Sequence, residues 1–228
     1  MSTCSGCYVG VSTNGLLVPI AGGGGGGSSA VIITGTGVNS SVRCGVSNLA
    51  SGNCSAVLGG FSNSGTTDFS VVVGGQFNTS SGKNSFVGGG CSNSATTNYS
   101  TVVGGVCNLS SGYCSFVGGG YFNQSCGWGS VISGGYKNTS CGFYSTIGGG
   151  CCNITPAALS KVGGGYKNSA CGISSTIGGG TGNTITINSN SSVIAGGRVN
   201  TASGCQSFIG GGSGNTVSGV YSTIGGGC

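Results

Sequence analysis

Ser85-Phe86-Val87-Gly88-Gly89-Gly90-Cys91-Ser92-Asn93-Ser94-Ala95-Thr96-Thr97-Asn98-Tyr99 is followed at once by Ser100-Thr101-Val102-Val103-Gly104-Gly105, which begins the same pattern again. The opening serine recurs at Ser40, Ser55, Ser70, Ser85, Ser100, Ser115, Ser130, Ser145, Ser160, Ser175, Ser192, Ser207 and Ser222. The spacing is 15 residues throughout, except that two extra residues fall within Thr184–Asn190, between Ser175 and Ser192. Two residues after each serine stands Val or Ile, from Val42 to Ile224, and three further on stands glycine, from Gly45 to Gly227. Such a period is too short for a pair of helices and fits one turn of a β-solenoid with two short strands and two glycine-marked corners.

Alternation within the repeat predicts which side faces in. In Ser85–Gly89 the serine, valine and second glycine share one face, whereas the residue between serine and valine changes from Ala56 to Val71, Phe86, Thr101 and Lys161. The constant face is expected inside and the variable column outside. Glycine admits positive φ and close backbone approach, as corners and thin walls require. A second unbroken column is Asn48, Asn63, Asn78, Asn93, Asn108, Asn123, Asn138, Asn153, Asn168, Asn183, Asn200 and Asn215. Asparagine tolerates the left-handed region, and stacked at about 4.8 Å per coil its amides can form a ladder. Several of these residues match a glycosylation acceptor, as in Asn78-Thr79-Ser80, but Asn63, Asn93, Asn168, Asn183, Asn200 and Asn215 do not. A structural ladder accounts for the whole column.

Composition excludes most chemistry. The 228 residues contain 55 glycines, no histidine, 3% charged residues and one carboxylate side chain, Asp68. General acid–base catalysis draws mainly on His, Asp and Glu, so no catalytic residue, metal site or cofactor is assigned. The solenoid lyase sites that use acidic clusters are excluded for the same reason. The net charge of +5 comes from Arg43, Lys83, Lys137, Lys161, Lys167 and Arg198, which are scattered, so no nucleic-acid partner is expected. No run of about 18 apolar residues predicts membrane insertion. Ordering each residue costs about 1–2 kcal/mol of backbone entropy, while one buried Val or Ile per coil returns only about 1.5–3 kcal/mol. So thin a core points to association of several chains.

The residues Ser175-Thr176-Ile177-Gly178-Gly179-Gly180 and Asn200-Thr201-Ala202-Ser203-Gly204 resemble the head repeats of trimeric autotransporter adhesins, the YadA-like head. The resemblance spans residues 40–228. It implies an all-β, left-handed parallel β-roll of twelve complete coils and a partial thirteenth, packed as a side-by-side homotrimer that presents a surface to host cells or matrix. It specifies architecture rather than ligand. The chain departs from the family in showing no coiled-coil stalk and no anchoring barrel. Met1-Ser2-Thr3-Cys4 opens with no positive residue before Arg43, so a secretory signal peptide is not expected. Use in a viral or phage fibre, on a virion surface or an extracellular appendage, suits these departures better.

Residues 1–39 fall outside the repeat and are expected to form a cap or attachment arm with a glycine joint at Gly22–Gly27. Among 14 cysteines, Cys126 and Cys141 share a column in consecutive coils, within disulfide reach at about 4.8 Å. Cys4, Cys7, Cys151, Cys152 and Cys228 are candidate inter-chain cross-links. The last repeat stops at Cys228, and an open end strand accepts another layer, so head-to-tail stacking into a filament is a further expectation. Tyr121, Phe122, Trp128, Tyr136 and Tyr166 are candidate contacts to a host-cell receptor or glycan. The reading is a non-enzymatic structural or adhesive fibre. The alternative is a monomeric ice-binding solenoid, which the mixed outward column of Phe86, Thr101, Phe116, Val131, Thr146 and Lys161 disfavours.

Overall fold

The computed structural model describes residues 9–11, 17–19, 32–43 and 45–228. From Ser40 on, the chain winds into an all-β parallel solenoid of about 12 turns. Each coil contributes one two-residue strand to each of two parallel sheets, such as Phe86–Val87 and Ser94–Ala95. The pairing never slips: Phe86 and Val87 lie beside Val71 and Val72 on one side and Thr101 and Val102 on the other. A third ladder of single bridges runs between the sheets through Val46, Phe61, Gln76, Cys91 and Val106 to Ser213. The coil thus has three ladders, where the repeat alone predicts two strands.

The core is as narrow as the repeat implies. Val57, Val72, Val87, Val102, Val117, Ile132 and their successors as far as Ile209 are buried, and so are the serines that open the coils from Ser55 to Ser207. Opposite them, two residues after each asparagine, lies a column of small side chains: Ala50, Ser80, Ala95, Ser110, Ser125, Ser140, Thr155 and Ala170, ending in Ala202 and Val217. Where this column holds serine, its hydroxyl meets the next coil-opening serine, at 2.6 Å for Ser80 and Ser85 and 2.7 Å for Ser140 and Ser145. The coil-opening serine also donates to the carbonyl three residues before it, as Ser145 does to Gly142 at 2.8 Å, so the pair chiefly satisfies the column serine, whose buried hydroxyl would otherwise cost about 1–3 kcal/mol. Where the column holds Gly65, the Ser70 hydroxyl is buried with no partner.

Hydrogen-bond direction explains the corners. Strand residues donate forward to the next coil, as Phe86 N–H does to the Ser100 carbonyl. The residue before each asparagine and the residue before each serine donate backward, as Ser92 does to Gln76 and Tyr99 to Lys83. Reversing the N–H requires the left-handed region, and these residues adopt it whatever their side chain: φ is 56° at Phe77, 60° at Tyr99 and 59° at Leu159. Bulky residues rarely accept such angles; here cross-coil bonds hold them there. Asparagine tolerates the left-handed region, but in this column it is the preceding residue that adopts it. Glycine also takes positive φ three residues after Val or Ile, from 85° to 99° between Gly60 and Gly212. The later glycines, such as Gly82 and Gly112, have ordinary φ and lie close to the next coil, where a Cβ would meet the carbonyls of Thr97 and Gly127; the column is not uniform, and coils that carry Thr67, Thr97, Ala157 or Ser189 there accommodate a side chain.

The glycine expected to share the inward face with serine and valine does not. The chain turns after the valine, so Gly74, Gly104, Gly164 and Gly196 have no atom within 4 Å of where a Cβ would stand. The 17-residue coil keeps both sheets in register, Ile177 beside Ile194 and Ile185 beside Ala202, and places its extra residues at an edge with Ile187 exposed. Ahead of Ser40, Ile32–Thr34 pairs antiparallel with Ser41–Arg43 and closes that end of one sheet. Val9–Val11 and Leu17–Pro19 form a separate antiparallel pair. The Gly22–Gly27 joint lies outside the described residues.

Candidate functional site

The asparagine column is buried and links consecutive coils. The Asn93 N–H donates to Asn78 Oδ1 at 2.9 Å, while Asn93 Nδ2 donates to the carbonyls of Gly89 and Gly105, both at 2.8 Å. Asn63, Asn78, Asn108, Asn123, Asn138, Asn153, Asn168, Asn183 and Asn200 repeat this set. Asn48 and Asn215 stand at the two ends of the column, where Asn48 Nδ2 donates to Gly60 and Asn215 Nδ2 to Gly211 and Gly227. With both polar ends engaged in the interior, these side chains hold the wall together and offer nothing to a ligand.

Chemistry is left to the edges. Left-handed bends turn consecutive side chains outward, and large apolar residues gather there in two ridges. One ridge follows the bridge ladder. Phe61 packs edge-on to Phe77 at 5.3 Å, Tyr121 against Phe122 at 4.4 Å, and Tyr121 stacks on Tyr136 at 5.5 Å. Lys137 and Lys167 lie over the rings of Tyr136 and Tyr166, at 5.2 and 5.1 Å. Hydrogen bonding and charge from these tyrosines raise both lysine pKa values. The other ridge runs along the opposite edge through Tyr99, Tyr113 and Trp128, with ring separations of 5.4 and 5.8 Å, and continues to Phe143 and Tyr144. The candidate contact residues are thus divided: Tyr121, Phe122, Tyr136 and Tyr166 occupy one ridge and Trp128 the other. Tyr99, Tyr113, Phe143 and Tyr144 complete the second ridge and escape a reading that treats all corner positions as one.

Cys126 and Cys141 are disulfide-bonded across adjacent coils, with Cα atoms 4.5 Å apart. Cys151 and Cys152 lie on the first ridge with sulfurs 3.1 Å apart. The hydrogen bond to Cys152 is the main cause that raises the Cys151 pKa; burial adds to it, and Lys137 and Lys167 oppose it. Cys228 is exposed, and Cys4 and Cys7 lie outside the described residues. Asp68 spends its carboxylate on the backbone, accepting the N–H of Asn53 at 3.1 Å just as Asn98 accepts that of Lys83 at 3.0 Å. Among the described residues no three His, Cys, Asp or Glu side chains gather into a metal site, and no helix is long and apolar enough to cross a membrane.

The outer face of the second sheet carries hydroxyls in two adjacent columns. Ser64 and Thr66, Thr79 and Ser81, and Ser94 and Thr96 form one block of three coils. Thr184 and Thr186, Thr201 and Ser203, and Thr216 and Ser218 form another. Leu109, Gln124, Ile154 and Pro156 interrupt the array between them. No family model matches the chain, and no curated protein matches it.

Proposed function

We propose that this chain is the subunit of a non-enzymatic structural or adhesive surface fibre, a left-handed β-roll that packs side by side as a homotrimer and is reinforced by disulfides. The observation that carries the reading is the open glycine wall. Gly74, Gly104, Gly164 and Gly196 have neither a left-handed φ nor a neighbour that excludes a side chain. Along the same wall Leu58, Val73 and Val103 are exposed, in a column that otherwise holds glycine, Ser133 and Ala195. Glycine with no use inside its own chain fits close approach by another backbone, and exposed apolar side chains fit burial in a shared interface. The aromatic ridges then supply inter-chain packing or contacts to a host-cell receptor or glycan. Cys228, Cys151, Cys152, Cys4 and Cys7 supply cross-links between chains. A virion surface, a tail fibre or a cell appendage is the setting such a rod suits, and end-on stacking would extend it into a filament.

Light scattering on the purified chain, with and without reductant, tests this reading. Three chains per particle is the expected result, and a single chain overturns it. A far larger particle that collapses on reduction identifies a disulfide-linked filament instead. The second reading, a monomeric ice-binding solenoid, is favoured by the paired hydroxyl columns of the second sheet, a different face from the mixed column that disfavours it. A monomer with thermal hysteresis would establish that alternative, and its absence would remove it.

A further inference from the structure

Cys151 and Cys152 are held in an arrangement that consecutive residues of a strand do not have. Along a strand, neighbouring side chains point to opposite faces. Here Cys151 bridges Tyr136 and Tyr166 in the neighbouring coils, and Cys152 turns through φ 59°, so both sulfurs come to the same side, 3.1 Å apart and half-buried. The coils above and below fix the pair, since the Cys152 N–H donates to the Tyr136 carbonyl and the Lys167 N–H to the Cys151 carbonyl, each at 2.9 Å.

The pair is poorly suited to closing on itself. Consecutive Cα atoms across a trans peptide lie about 3.8 Å apart, short of the roughly 4.4–6.8 Å that disulfides usually span, whereas Cys126 and Cys141 are 4.5 Å apart. A bond outside that range is more easily reduced, so between the potentials of the two couples the Cys126–Cys141 bridge persists while Cys151 and Cys152 are thiols. Nor do they suit a tetrahedral cation such as zinc, which takes four ligands. No third ligating side chain joins them among the described residues, and the nearby ammonium groups of Lys137 and Lys167 repel a dication. A neutral, three-coordinate thiophilic centre meets neither obstacle.

We propose that Cys151 and Cys152 form a two-sulfur binding site for trivalent arsenicals and chemically similar thiophilic centres. With an organoarsenical written R–As=O, the two S–H bonds break and two As–S bonds form. The two protons leave with the arsenical oxygen as water, and arsenic stays trivalent throughout. The site does not depend on the fibre reading, although it draws on sulfurs that inter-chain cross-links would also use.

Phenylarsine oxide on the full chain, followed by intact mass measurement without reductant, provides the test. One adduct on this pair is expected, removed by 2,3-dimercaptopropanol but not by 2-mercaptoethanol at equal concentration. Cys151→Ser and Cys152→Ser should each lower occupancy at least tenfold, while Cys4→Ser/Cys7→Ser, which removes the other close pair in the sequence, should leave it unchanged. Serine already occupies these columns at Ser213 and at Ser47, Ser62 and Ser92, so the variants are expected to fold, as far-ultraviolet circular dichroism would verify. An adduct that survives in Cys151→Ser/Cys152→Ser, or vanishes in Cys4→Ser/Cys7→Ser, overturns the proposal. So does a wild-type chain that takes up none, whether its thiols are free or tied up in cross-links.

Discussion

Replacing Asn123 by alanine is expected to cost the solenoid about 2–4 kcal/mol, from the following bonds. Asn123 Nδ2 donates to the carbonyls of Gly119 and Gly135, both at 2.9 Å, and its Oδ1 accepts the Asn138 N–H at 3.0 Å. Gly135 keeps a second donor, the Tyr121 N–H at 2.9 Å, and loses little. The Asn138 N–H belongs to a fully buried residue and is left unpaired, which costs about 1–3 kcal/mol. The Gly119 carbonyl sits at an edge that water can reach, so its loss is nearer a net bond of about 0.5–1.5 kcal/mol. Asn215 offers the control: its side chain donates to Gly211 and Gly227, and its truncation should cost only about 0.5–1.5 kcal/mol. Asn123→Asp keeps the acceptor but sets a buried carboxylate against two carbonyl oxygens, so it should be at least as damaging as alanine. Urea unfolding followed by circular dichroism measures the total. Hydrogen exchange read by mass spectrometry should show faster opening centred on the coils flanking Asn123, because repeat proteins respond mainly through nearest neighbours. An Asn123→Ala chain within about 0.5 kcal/mol of wild type, or one no less stable than Asn215→Ala, would show that the column does not hold the coils together.

Gly65→Ser should stabilise the chain by about 1 kcal/mol in urea unfolding, since it gives the Ser70 hydroxyl the partner that Ser80 gives Ser85; a destabilised variant would mean the site cannot accept the oxygen. Gly75→Ala combines φ 86° with overlap of the Gly90 carbonyl and should markedly lower the melting temperature, while Gly74→Ala should leave the isolated chain's stability within about 0.5 kcal/mol. Under the trimer reading, Gly74→Ala should still weaken association in sedimentation. Opening the Cys126–Cys141 bridge by double serine substitution should cost about 3 kcal/mol for a loop of this length, and the variant's unfolding midpoint should no longer respond to reductant through this bridge. Because the Cys151 pKa is raised, its thiolate fraction at a given pH is lower than that of an ordinary cysteine. Its alkylation by iodoacetamide, followed by peptide mapping across a pH series, should therefore reach half its maximal rate at higher pH, and a curve shifted downward would refute the cause assigned.

The parts legible from sequence are those where one residue type serves one geometric need in every coil. Val87, Gly90 and Asn93 each recur without exception, so superposing the repeats displays them. The small column through Ala95 and Ser110 is equally buried but varies from glycine to isoleucine at Ile185, and only the alternation continuing past asparagine could have revealed it. Left-handed residues such as Phe77 and Tyr99 carry no compositional mark, because the direction of a cross-coil bond sets their φ rather than their own side chains. The inward placement of the glycine after the valine fails because alternation holds only while the strand lasts, and these strands end after two residues.

The two additional residues of the coil between Ser175 and Ser192 sit at an edge, with both sheets undisturbed on either side. Length can therefore change at a bend without propagating, whereas a single residue gained inside a strand would turn Ile177 or Ile194 to the outside. The rod consequently behaves as a ruler graduated in steps of about 4.8 Å. A peptide spliced between Ile187 and Asn188 would be displayed at a fixed graduation, and removal of one whole repeat would shorten the ruler by one mark while leaving every other mark readable.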